Sequence, residues 1–296
     1  MASDSDKLQK WPPRVWTARI WLEVGGIALA LIAIITLATR FLPQGMDWHW
    51  VIRPGCLAML RGESPFDAVP YFGFPPWALL PFVPLALLPE RLGRAIFFLV
   101  GLLTFAWSIW RLGGKPAAIT AFLISPPVMH SLLNANLDWL PLLGFTLPPV
   151  YGLFFISVKP QMGSVVALFW LVQSWRAGGW RRVLADFGPF GVVFALSLAV
   201  YGFWPSHFRE IQVISQGWNA SLWPGSIPVG LGLAVAALRR REIRFAMAAS
   251  PCLSPYVLLH AWSGALASLS TLSAEMIAAV IGLWIVAIMR FLPFGF

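Results

Sequence analysis

Few residues in this chain can carry chemistry. Only 11% of its 296 residues are charged, against about 25% in an average soluble domain. The densest polar group is Asp47, His49, Arg53, Arg61, Glu63 and Asp67, in the stretch PQGMDWHWVIRPGCLAMLRGESPFDAVPYFGFPPWALLPF. By composition alone this is a solvated loop beside a membrane. Lys159 stands apart, immediately before Pro160 and Gln161. An ammonium where a helix begins meets the positive end of the helix dipole, and together they can hold an anion. The plainer role is a lysine snorkelling to the surface. Gln161 can donate hydrogen bonds to such an anion, or satisfy carbonyls freed by Pro160. Asn134, Asn136 and Asp138 close an apolar run. Polar groups at membrane depth face a bundle interior, so they read first as structural and second as substrate contacts. His207 falls on an outer loop and His260 near an outer helix end, and either can contact a ligand, although a lone His is more often structural. Glu23, Glu275 and His130 read as partners in interhelical hydrogen bonds.

The elements that must position these groups are apolar helices. The chain is 58% hydrophobic, with 17 Trp, 22 Phe and a mean hydropathy of +0.74. This composition excludes a soluble enzyme, a disordered tail and a disulfide scaffold, and it predicts an all-α, polytopic membrane bundle. Alternating ten-residue strands, the mark of an outer-membrane barrel, are absent. Apolar runs predict spans at 21–42, 74–89, 92–110, 116–133, 162–175, 187–203, 226–238, 245–262 and 272–291, with a Pro-broken stretch at 134–161. That makes about nine or ten membrane segments, several of them short or re-entrant. An amphipathic helix from about Arg53 to Arg61 is expected to lie in the interface. A second interfacial helix is expected over 206–217, with Trp204, Trp218 and Trp223 at headgroup level. The chain divides into a polar segment, 1–20, and one integral membrane domain, 21–296.

The net charge is +9. In a membrane protein this is an orientation signal, not a nucleic-acid surface. With the broken stretch taken as one crossing, Lys7, Lys10, Arg14, Arg19, Arg91, Arg94, Arg176, Arg181, Arg182, Arg239, Arg240, Arg241, Arg244 and Arg290 share one side. These are 14 of the 21 basic residues. The bias predicts a multi-pass protein of the cytoplasmic membrane with both termini inside. The cluster Arg239–Arg244 then touches anionic lipid. No cleavable signal peptide is visible. Cys56 and Cys252 read as small apolar residues.

Several elements together resemble the glycosyltransferase C superfamily. The first is Asp47 soon after the first span. It is followed by a short helix, Gly62-Glu63-Ser64-Pro65-Phe66-Asp67, and then Tyr71 with Phe74-Pro75-Pro76. Asn134-Ala135-Asn136-Leu137-Asp138 is similar to the family's N-G-Q/N-x-D stretch, with Ala135 for the usual Gly. Lys159-Pro160-Gln161 is similar to its K-P-Q element. Ser254-Pro255-Tyr256, with His260 a turn later, resembles its S-P-aromatic element. The resemblance covers about Trp21 to Trp262 and is nearest to the branch that uses polyprenol-phosphate mannose, as in phosphatidylinositol mannoside synthesis.

The resemblance implies transfer of a mannose-like sugar from a polyprenyl-phosphate donor to a lipid or glycan acceptor hydroxyl on the outer face, with inversion. It implies Asp47 as the base that takes the acceptor proton. It implies Lys159, with Gln161 and Arg53, on the donor phosphate, and His49, Asn134, Asn136, His207 and His260 as substrate contacts. No cofactor is expected, and the sequence gives no support for a divalent cation or a metal site. Two other readings stay open. A non-catalytic membrane subunit of a larger complex would bury broad apolar faces against other chains. A transporter or flippase would carry an internal repeat, and none is visible.

Overall fold

The computed structural model describes residues 18–291, and side chains for most of that range. The polar segment 1–17, the side chain of Glu23 and that of Arg290 lie outside the described residues. Helices make up 77% of the structure and no strand occurs among the described residues. The long elements are α1 (Ala18–Phe41), α2 (Arg53–Leu60), α3 (Glu90–Arg111), α4 (Pro116–Leu123) and α5 (Pro126–Asn134). They continue as α6 (Trp139–Phe145), α7 (Pro149–Ile156), α8 (Pro160–Tyr201), α9 (His207–Ile214), α10 (Ile227–Arg240), α11 (Ile243–Cys252) and α12 (Ser273–Phe291).

Among the described residues, two helices, α3 and α8, are long and apolar enough to cross a membrane, and the pair α4 and α5, bent by 57°, makes up to a third. Prolines set half of these helix starts: α2, α4, α5, α7, α8 and α10 each carry one in the first turn, where its missing N–H costs nothing. α8 is two helices joined at Gly178 and Gly179, whose backbone leaves the helical region. The kink is tied by Asp186, which accepts from Ser174 Oγ (2.7 Å) and Arg182 Nε (2.8 Å). A fully buried aromatic and aliphatic core, including Trp48, Phe97, Phe105, Phe122 and Met162, joins α3, α4, α8 and the turn before α2.

The helix over Arg53–Leu60 matches the expectation, and a π-helical turn, Trp48–Ile52, precedes it. The helix expected over 206–217 is α9, which buries none of its residues. Two other expectations are corrected. The apolar run 74–89 forms only short turns, and it returns to the end of the bundle it left. Phe74 at its start lies under Lys159 (5.7 Å), and Glu90, just after it, meets His49. The run 134–161 likewise starts and finishes at one end of the bundle. It folds into a hairpin of α6 against α7, where Gly144 and Gly152 let the two backbones touch, and it brings Lys159 back to Asp138.

The two corrections cancel for everything after Lys159. Arg91 and Arg94 move to the Asp47 end, and Arg111 and Lys115 move to the far end, a full helix length away. A third correction concerns the C-terminal helix. Ser270 Oγ donates to the Leu112 carbonyl at the far end, and α12 then runs alongside α4, with Trp284 Nε1 donating to Ile124. α12 therefore points back toward the Asp47 end. α1 also runs toward that end, stopping at Phe41 just before Asp47, so Ala18 and Phe291 lie at opposite ends of the bundle.

Candidate functional site

Four separate stretches of chain meet at one end of the bundle. Asp47 heads the π-turn after α1, a conformation enriched at functional sites. Asn136 follows α5, whose last turn closes on Ala135 in the left-handed conformation (φ 63°). The Asn136 N–H bonds back to the Ser131 carbonyl at 2.8 Å, which turns the chain sharply off the helix. That turn aims the Asn136 side chain at Asp47, and Asn136 Nδ2 donates to Asp47 Oδ2 across 2.6 Å.

Arg94 lies beneath the pair. It is buried and donates to the Leu132 and Leu133 carbonyls at 2.6 and 3.0 Å, capping α5 where the helix dipole favours a cation. Gly45 (φ +76°) packs on it, and a Cβ there would fall 2.6 Å from Arg94 Nε and 2.9 Å from the Ala135 Cβ. The backbone on both sides of the Asp47–Asn136 contact is thus set by one guanidinium.

Asp138, fully buried, is the hub of the neighbouring network. It accepts from Ser131 Oγ at 2.8 Å and from His260 Nδ1 at 2.8 Å, and it faces the Lys159 ammonium at 3.8 Å. A His260 that donates through Nδ1 to a carboxylate leaves Nε2 free to accept. His130 stacks on His260, with ring centroids 5.6 Å apart. Lys159 stands at the start of α8 and is itself buried, so it does not snorkel into solvent. It is within electrostatic reach of both carboxylates, Asp47 and Asp138.

The Ser254-Pro255-Tyr256 element arrives from the other side, held against residues 219–221. Asn219 Nδ2 donates to the Pro255 carbonyl and Ser221 Oγ to that of Ser254. Tyr256 lies within electrostatic reach of Asp47, and its hydroxyl meets Ser215 Oγ at 2.5 Å, at the end of α9. Burial pushes the Asp47 carboxyl up to about 6 from its ordinary 3.8, while Lys159 and the Asn136 hydrogen bond pull it down. A carboxylate with that affinity takes a proton readily near neutral pH.

Of the residues expected to form a site, Asp47, Asn136, Lys159 and His260 come together. Gln161 sits on the first turn of α8, two residues beyond Lys159. The others do not join. His49 turns away to Glu90 (2.5 Å). Arg53 opens α2 with its Nε buried and unpartnered. Asn134 bonds its own helix, at the His130 carbonyl. His207 lies among aromatic rings, 5.1 Å from Phe66. His130 is exposed and stacked, not paired between helices, and Glu275 is exposed in the first turn of α12.

Asn136, read first as structural, lies at the Asp47 end and bonds to Asp47 itself. Asp138 is the member that sequence reasoning undervalued; its signal was its place in the N-x-N-x-D pattern. Arg94 and Ser131 had no such signal. No protein-family model, curated protein or solved structure matches this chain.

Proposed function

We propose that this protein is a membrane glycosyltransferase that moves a mannose-like sugar from a polyprenyl-phosphate donor to an acceptor hydroxyl, with inversion. The observation that carries the proposal is the convergence of Asp47, Asn136 and Lys159. They are far apart in sequence, and they lie in motifs that resemble one superfamily. Asp47 has the raised affinity a general base needs, and Asn136 holds it in place. Lys159 is a buried cation at a helix N-terminus, suited to a phosphate leaving group. Asp138 and His260 are positioning residues: they hold the Lys159 ammonium at the site end rather than touching the sugar.

An apolar groove supports a lipid-linked donor. It has a volume of about 250 Å³ and is lined by Trp77, Phe190, Phe194, Trp204 and Phe208. Its lining also includes Ser157 and Pro160, which bracket Val158 and Lys159. A prenyl tail in this groove would bring its phosphate to Lys159.

The distribution of arginines supports an outward-facing site. Arg111 lies 21 residues along α3 from Glu90, about 32 Å away at the helical rise. Arg176 donates to the Leu238 carbonyl, so the α8 kink and the end of α10 share the arginine-rich end. The positive-inside tendency favours that end in the cytoplasm, and this supports the reading of Asp47 on the outer face. The test is release of polyprenyl phosphate from polyprenyl-phosphate mannose by the purified protein in nanodiscs with a soluble mannoside acceptor. Turnover supports the reading. Absence of both turnover and donor binding would overturn it.

A further inference from the structure

The arginine-rich end carries a second feature, unrelated to the Asp47 site. Gly232, Val235, Ala236, Arg239 and Arg240 recur at helical spacing along one face of α10. They line a concavity of about 500 Å³. A Cβ built at Gly232 meets nothing within 4 Å, so the missing side chain leaves open space. The flank is apolar and uncovered: Val229, Leu231 and Val235 are each more than half exposed. The mouth is cationic. Nearby acids are already engaged, Asp186 by Arg182 and Glu242 by Arg244. Arg176, Arg181, Arg239, Arg240 and Arg241 have no acid partner among the described residues. Helix-dipole stabilisation explains basic residues at the end of α10, but it does not explain a concavity behind them.

We propose that this face binds one anionic phospholipid, its phosphate on Arg239 and Arg240 and an acyl chain along Gly232, Val235 and Ala236. The charge complementarity selects an anion, because guanidinium groups match phosphate oxygens in a planar fork. The apolar floor selects a lipid over a free phosphate, which would gain nothing from a greasy groove. The floor runs eight residues from Gly232 to Arg240, about 12 Å along the helix, so the chain lies parallel to α10 beneath its headgroup. This site stands whether or not the Asp47 cluster transfers sugar.

The experiment is native mass spectrometry of the full-length protein. It is released from nanodiscs of equal phosphatidylcholine and phosphatidylglycerol, and the retained lipid is counted. The wild type is expected to keep one phosphatidylglycerol in preference to phosphatidylcholine. Arg239→Gln with Arg240→Gln is expected to lower that retention about tenfold or more. Gly232→Leu, which changes no charge, is expected to lower it comparably by filling the chain's place. Ala236→Leu serves if Gly232→Leu does not fold. Arg241→Gln, just beyond the groove, is expected to leave retention unchanged. Undiminished retention in the double Arg variant, or in both filling variants, overturns the site. So does an equal loss in Arg241→Gln, which would show diffuse attraction. Displacement by millimolar inorganic phosphate overturns the choice of a lipid.

Discussion

Asn136 Nδ2 lies 2.6 Å from Asp47 Oδ2, although the two residues are 89 positions apart in sequence. The contact depends on a left-handed turn at Ala135, a buried cap from Arg94 and the absence of a side chain at Gly45. This much local structure is spent on aiming one amide at one carboxylate. Asn136 stabilises the ionised form of Asp47. Asn136→Ala is therefore expected to raise the apparent pKa of the acid limb of the pH–rate profile above about 6. It is also expected to lower turnover. A profile whose acid limb stays in place would show that this hydrogen bond does not act on the base.

Asp47 has a stability consequence of opposite sign to its catalytic one. Its folded-state affinity for a proton exceeds that of the unfolded chain, at about 6 against 3.8. Between those values the native state binds more protons than the unfolded state, so stability falls as pH rises, and the loss is complete above the upper value. Asp47→Asn is expected to raise thermal stability at pH 7, by at most about 3 kcal/mol, and to leave stability nearly unchanged at pH 3. Thermal unfolding at both pH values checks this. A residue kept only for structure would show a loss at pH 7.

Lys159 and Asp138 form a buried pair at 3.8 Å. Removing one member leaves the other charge uncompensated, which typically costs about 3–5 kcal/mol. Lys159→Gln and Asp138→Asn are each expected to destabilise by that order. The double variant is expected to recover a large part of the loss while remaining unable to bind the donor. Unfolding of the three variants, set beside donor binding, separates the structural role of the pair from the phosphate-binding role of Lys159.

Ala135 adopts φ 63°, a region that costs a residue with a Cβ about 1–2 kcal/mol. Ala135→Gly is expected to relieve part of that strain and to preserve turnover. Ala135→Val is expected to destabilise by more than about 1 kcal/mol and to disturb the Asp47–Asn136 contact. Thermal unfolding and turnover of the two variants check this.

The helical, membrane-bound character of the chain was legible in its composition, because apolar runs of this length need a solvent that tolerates them. Asp47, Asn136, Lys159 and His260 were legible as a set only through their order along the chain. Their meeting point was not. Counting apolar length does not distinguish a span from a run that returns, and 74–89 and 134–161 both return. The information that turns them back is tertiary. Gly144 against Gly152 closes the α6–α7 hairpin, and the turns after Phe74 bring the chain to Glu90, where His49 meets it. Asp138 was hidden for a related reason, because its partners Ser131, Lys159 and His260 come from both sides of that hairpin. Arg94 looked like an orientation signal, since nothing in sequence marks a buried arginine that caps another helix.

The most direct measurement compares polyprenyl-phosphate mannose turnover by the wild type and Asp47→Asn, both reconstituted in nanodiscs and both shown to bind the donor. The proposed role of Asp47 as general base predicts a fall in turnover of about 10²–10⁴-fold in the variant, with donor binding retained through Lys159. Equal turnover in the two proteins would contradict it.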